Sequence, residues 1–180
     1  MENDTIDELK KNLTERLKAV EAEEMFAVKG KYLTFVLCGE EYGVEVLKVR
    51  EINGLMDITT VPQMPNYMKG VINLRGKVIP VIDLRLKFGL PEAEYTKETC
   101  IIVVDVKNAL VGIVVDTVSE VVDVNAEDVE PAPRMGQHVN TGFILGLAKI
   151  KGKVKILLDI DKVLHVDELE PAEQLAFSQV

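Results

Sequence analysis

Two stretches of this chain are written twice, and that constrains its fold more than any single motif. GVINLRGKVIPVIDL, Gly70 to Leu84, returns as GLAKIKGKVKILLDI, Gly146 to Ile160, at an offset of 76 residues. YLTFVLCGEEYGVEVLKVREI, Tyr32 to Ile52, returns as IIVVDVKNALVGIVVDTVSEV, Ile101 to Val121, at an offset of 69. Gly43 meets Gly112 and Glu51 meets Glu120. The chain is therefore two diverged copies of one unit of about 60 residues, a period that decides the architecture before any local reading does. The difference between the offsets falls in the loop PAPRMGQHVNTG, where Pro and Gly make insertion cheap.

From Lys31 onward the texture is of short Val- and Ile-rich runs bounded by Gly, Pro, Asn and Asp, the pattern of many short strands. Strands are expected at 32–37, 42–46, 70–74, 77–82, 100–105, 110–115, 146–150 and 154–158. Pro80 has no N–H for a ladder, so its strand should be an edge or carry a bulge. The second strand of each copy runs into a three-residue step, Val46, Val49, Ile52 and Val115, Val118, Val121, which predicts a helical turn or a bulge there. Asp83 and Asp159 each follow a strand and precede a short helical pattern, as N-caps do.

The first thirty residues differ. Ile6, Leu9, Leu13, Leu17 and Val20 recur at steps of three and four, one helical stripe. Packing on its own domain, or fraying as an extension, is the default expectation for this helix. Binding a partner or a second copy is the alternative. A membrane-surface role is disfavoured because acidic residues outnumber basic ones in it.

Composition excludes several functions. The 180 residues are 47% hydrophobic and 28% charged with a formal charge of −9, a soluble globular balance, and the length allows about 70% of the unfolded surface to be buried. Nucleic acid requires clustered cations and stacking aromatics, whereas this acidic chain has four Tyr, five Phe and no Trp. No apolar run spans a bilayer and the start, MENDTIDELKKN, is no signal peptide, so a cytoplasmic location without membrane insertion is expected. Cys38 and Cys100 form no CxxC and have no nearby His, which reads as free thiols, with no metal site.

No motif carries catalysis. His138 and His165 have no matching nucleophile, and no phosphate-binding loop or dinucleotide fingerprint is present, so no cofactor is expected. The informative positions are those where the copies differ. Asn73 and Arg75 stand where the second copy has Lys149 and Lys151, giving the first hairpin turn one planar guanidinium suited to a carboxylate. A solvated turn residue is the plainer reading of Arg75.

Four blocks in order, YLTFVLCGEEYGVEVLKVREI, ITTVPQMPNYMKG, GVINLRGKVIPVIDLRLKFG and LVGIVVDTVSEVV, resemble the CheW-type chemotaxis coupling proteins over about residues 31–168. The resemblance implies an all-β fold of two five-stranded SH3-like barrels with short helices, 31–99 and 100–168; the amphipathic helical extension at 1–30 departs from the family pattern, and 169–180 is expected to be a tail or a short helix. Whether strands are shared between the barrels is left open. It implies an adaptor, not an enzyme, whose partners are the cytoplasmic tip of a methyl-accepting chemoreceptor and the regulatory domain of the chemotaxis histidine kinase. The implied coupling residues are Arg75 framed by Gly70 and Gly76, then Val49, Glu51 and Ile52, with Val118 and Val121 facing the same groove between the barrels. A coupling module of another kinase pathway, or a nucleic-acid-binding pair of SH3-like barrels, would share the strands. The family gives the N-terminal helix no role.

Overall fold

The computed structural model describes residues 2–133 and 141–164, without the side chains of 2–4 and 20–27. His138, His165 and the expected tail at 169–180 lie outside the described residues. The chain begins with helix α1 (Glu2–Val28), followed by strands β1 (Gly30–Leu37), β2 (Glu40–Glu45), β3 (Val49–Gly54), β4 (Met68–Leu74) and β5 (Lys77–Asp83), then the short helix α2 (Leu84–Lys87). Strands β6 (Cys100–Val106), β7 (Ala109–Val115), β8 (Thr117–Val124), β9 (Val129–Glu130), β10 (Ile144–Ile150) and β11 (Lys153–Leu158) lead to helix α3 (Ile160–Val163).

The strands form two sheets, one ordered β8-β1-β2-β11-β10-β9 and one ordered β3-β6-β7-β5-β4. These are two SH3-like barrels, but the sheets do not divide at 99/100 as the repeat does. The hairpin β1–β2 of the first copy lies in the six-stranded sheet with β8 to β11, and the hairpin β6–β7 of the second copy lies with β3 to β5. Each barrel thus holds the leading hairpin of the other copy.

The duplication survives as a duplicated register. Leu33 faces Val121 and Phe35 faces Val118; one repeat away, Ile102 faces Ile52 and Val104 faces Val49. The parallel junctions match as well, Leu157 on Gly43 and Val81 on Gly112. Both positions are tight, since a Cβ at Gly43 would sit 3.1 Å from the Leu157 side chain and one at Gly112 3.0 Å from that of Ile101.

Pro80 corrects the edge expectation. Its strand β5 lies between β7 and β4, and the irregularity of the β4–β5 pair falls between Met68 and Gly70. The parallel pairing with β7 begins only at Val81, so the strand is an edge locally at Pro80 and no ladder bond is lost. Asp83 caps α2, its Oδ1 accepting from the Leu86 N–H at 3.4 Å, whereas Asp159 holds the equivalent place without a side-chain bond.

The core has three parts. Ile72, Ile79, Val81, Ile101, Val103 and Val114 fill the five-stranded barrel. Tyr32, Val122, Val124, Ala148 and Leu157 fill the other. The largest cluster lies between the sheets, joining Leu33, Phe35, Leu37 and Val44 to Ile82, Ile102, Val104, Ile113 and Leu158. An aromatic ladder runs beside it from Phe35 through Tyr42 and Phe88 to Phe143, with centroids 6.0, 5.8 and 5.4 Å apart. Two ion pairs brace the join. Arg85 of α2 grips Asp116 at 2.6 and 2.5 Å, and that carboxylate also accepts from the Cys38 N–H at 2.9 Å. Lys48 reaches Asp161 at 3.0 Å.

Helix α1 forms as expected, but its stripe is not packed on the barrels: Ile6, Leu9, Leu13 and Leu17 are all exposed. The helix is anchored at its last residue, where Val28 is buried and its carbonyl accepts from the Tyr32 hydroxyl at 2.7 Å.

Candidate functional site

The implied coupling residues fall on the edge strands β3 and β8 and on the β4–β5 hairpin. The three-residue steps have two causes: a single helical turn at Val46–Lys48 carries Val46 to Val49, while Val49 to Ile52 and Val118 to Val121 span bulges, the β3–β6 register shifting between Val49 and Glu51 and the β1–β8 register at the equivalent place. At the β8 bulge the Thr34 hydroxyl fills the gap, donating to the Glu120 carbonyl at 2.8 Å and accepting its N–H at 3.1 Å. An extra residue in one strand reverses its alternation. Val49 and Ile52 therefore share a face, opposite Val104 and Ile102, and Val118 and Val121 share one opposite Phe35 and Leu33.

That face is the one turned to the central cluster. Val49 and Val118 are half-buried and pack against it, while Ile52 and Val121 are exposed, at 46% and 56%. Each barrel edge thus carries an apolar row, buried at one end and open at the other.

On the other face of β3 lies a polar clasp. Leu74-Arg75-Gly76-Lys77 closes the hairpin with φ of 53° at Arg75 and 84° at Gly76, the paired positive angles of a type I′ turn. The Asn73 Oδ1 accepts from the Gly76 N–H at 2.8 Å and fixes the turn. The Arg75 guanidinium, 72% exposed, pairs with the Glu51 carboxylate, which also accepts from the Asn53 amide at 2.7 Å. Asn53 first and Arg75 second hold the Glu51 carboxyl below its ordinary range. Since β3 and β4 are the two ends of the five-stranded sheet, this clasp ties one end to the hairpin of the other.

Gly70 and Gly76 act differently. Gly76 supplies the turn. Gly70, with φ of 143°, lies where a Cβ would come within 2.0 Å of the Thr59 carbonyl oxygen, because Thr59 and Val71 bond each other across a closing bridge. Its role is in the barrel wall. Sequence reasoning singles out Asn73 with Arg75 as a difference between the copies but does not pick out Asn53.

A family model described as a CheW-like domain matches residues 31–168. The chemotaxis protein CheW of Klebsiella aerogenes is 40% identical over 148 residues, covering 82% of this chain and 89% of that protein. The chemotaxis protein CheW of Bacillus subtilis is 36% identical over 142 residues, covering 79% and 91%. Among solved structures, the scaffolding protein TtCheW from Thermoanaerobacter tengcongensis aligns with a TM-score of 0.70 at 34% identity, covering 78% of this chain and 95% of that one.

Proposed function

This chain belongs to the CheW-like family and is a coupling adaptor of chemotaxis signalling, and from that premise we propose that it joins the cytoplasmic tip of a methyl-accepting chemoreceptor to the regulatory domain of the chemotaxis histidine kinase. The observation that carries this reading is the pairing of an apolar row with a polar clasp on one edge strand: Val49 and Ile52 on one face of β3, Glu51 with Arg75 on the other. A half-buried apolar anchor with a charged rim suits the apolar face of a helical hairpin. A matching row, Val118 and Val121, lies on the edge strand β8 of the other barrel. The role needs no bond-breaking chemistry, and the protein works in the cytoplasm as a scaffold.

The test is reconstitution. Purified protein, a receptor cytoplasmic fragment and the kinase should form a ternary complex in which kinase autophosphorylation depends on the adaptor. A chain that binds neither partner, or that leaves the kinase rate unchanged in their presence, refutes the reading.

A further inference from the structure

Helix α1 extends well beyond its point of attachment. Val28 is buried and its carbonyl accepts from the Tyr32 hydroxyl, but every residue from Thr5 to Ala19 is exposed. Ile6, Leu9, Leu13 and Leu17 line one side of that stretch at 50% to 63% exposure, open among the described residues. An amphipathic helix in a protein owes most of its stability to the packing of its apolar face. This face stands without a cover.

The charges of the helix say what fits it. It opens on ENDTIDEL, which is acidic with no cation, and continues as KKNLTERLK, where Lys10, Lys11, Arg16 and Lys18 outnumber Glu15. A parallel second copy would set each block on its like. An antiparallel copy sets acidic on basic, and the same overlap brings Ile6 of one chain to Leu17 of the other and Leu9 to Leu13, because steps of three, four and four nearly mirror themselves. Sliding the pair further toward the barrels would place Glu21, Glu23 and Glu24 against the acidic start, so charge also limits the overlap.

We propose that the stripe of α1 is a dimer seam, covered by the same stripe of a second copy running antiparallel. Such a two-fold contact uses one surface twice. With Ile6 on Leu17, the two Val28 anchors stand on the order of 50 Å apart at a rise of about 1.5 Å per residue. The barrels then lie at opposite ends of the helix pair, and their apolar rows stay open to other partners.

Sedimentation equilibrium on the full chain between about 1 μM and 1 mM covers the range in which so small an interface dissociates. The mass should rise from the 20.0 kDa of one chain toward that of two. Leu13→Glu and, separately, Leu9→Glu keep a good helix former and should raise the dissociation constant at least about tenfold, with the barrel melt in place. A monomer at every concentration, or a dimer indifferent to both changes, overturns the proposal. So does a lowered barrel melt in these variants, which would mean that the stripe packs on its own chain. Orientation is read by disulfides in a Cys38→Ser, Cys100→Ser background. Thr5→Cys chains mixed with Ala19→Cys chains should cross-link to each other, whereas Thr5→Cys chains alone should not. A disulfide between two Thr5→Cys chains as the main product would show a parallel pair and overturns the proposal. If the chain stays monomeric and Leu13→Glu weakens its binding of a receptor fragment or of the kinase, the face belongs to that partner and the second copy is ruled out.

Discussion

Arg75 occupies a backbone position that suits it poorly. A type I′ turn asks for Asn-Gly, and a side chain with positive φ pays roughly 1 kcal/mol relative to residues that favour that region. Arg75→Asn would complete the favoured turn while removing the guanidinium. The melting temperature is expected to stay within about 2 °C of the parent or to rise, as for a surface change, while affinity for the receptor or kinase falls about tenfold or more through loss of a charge-assisted contact. Calorimetric melts beside titrations with each partner check this, and an unaltered affinity for both would remove Arg75 from the interface. The apolar row divides similarly. Val49→Asp places a charge against the central cluster and should lower the melting temperature by more than about 10 °C, whereas Ile52→Asp, at the open end, should leave the melt nearly in place and weaken binding.

Single residues also brace the join between barrels. Burial pushes the Asp116 carboxyl up, but the Arg85 guanidinium and the Cys38 N–H outweigh it and hold the group below its ordinary value. A carboxylate lowered in the fold adds stability above its unfolded pKa of about 3.9 and loses it as pH falls through the folded value. Arg85→Ala should therefore cost about 1.5–3 kcal/mol at pH 7, with the gap from the parent closing below about pH 4. Urea titrations at pH 7 and in acid measure both numbers, and a gap independent of pH would show that the pair does not carry the effect.

At the scale of elements, Gly70 and the bulged strands are where sequence and structure part. Gly70→Ala drives a Cβ into the Thr59 carbonyl and should cost at least about 2 kcal/mol, lowering the melting temperature by several degrees. That would assign Gly70 to the barrel wall and not to a partner contact. The eight expected strands are present with small shifts at their ends, because runs such as CIIVVDV and KVIPVID declare themselves by branched residues and turn punctuation. β3 and β8 were legible only as a broken parity at Val49–Ile52 and Val118–Val121. A bulge hides a strand from an alternation rule, and these two carry the apolar rows. β9, two residues long, leaves no pattern to read. The Arg75–Glu51 clasp was not legible either, since it joins residues from opposite ends of a sheet whose order the sequence does not state.

For the whole molecule, the repeat establishes which positions are equivalent but not which copy they pair with. The exchange follows from the connections, since three residues between β2 and β3 and Asp116 alone between β7 and β8 are too few to join parallel strands of one sheet. One consequence is measurable. The central cluster draws on both sheets, so the barrels should melt in a single transition with equal calorimetric and van't Hoff enthalpies. Two resolved transitions would mean that the barrels fold independently.

The chain leaves the six-stranded barrel once, at Val46–Lys48, and returns once, at Asp116. Everything between belongs to the other barrel, so two covalent threads join two otherwise separate sheets. Val49, directly after the first thread, and Val118, two residues after Asp116, are the half-buried ends of the apolar rows, and Lys48 with Asp161 and Asp116 with Arg85 pin the threads themselves. In mechanical terms the proposed docking seam runs along the fulcrum of the molecule. A helix seated there presses on both threads at once, and a shift of that helix by a fraction of a turn would be felt as a tilt of one barrel on the other, with its largest displacement at the outer edges.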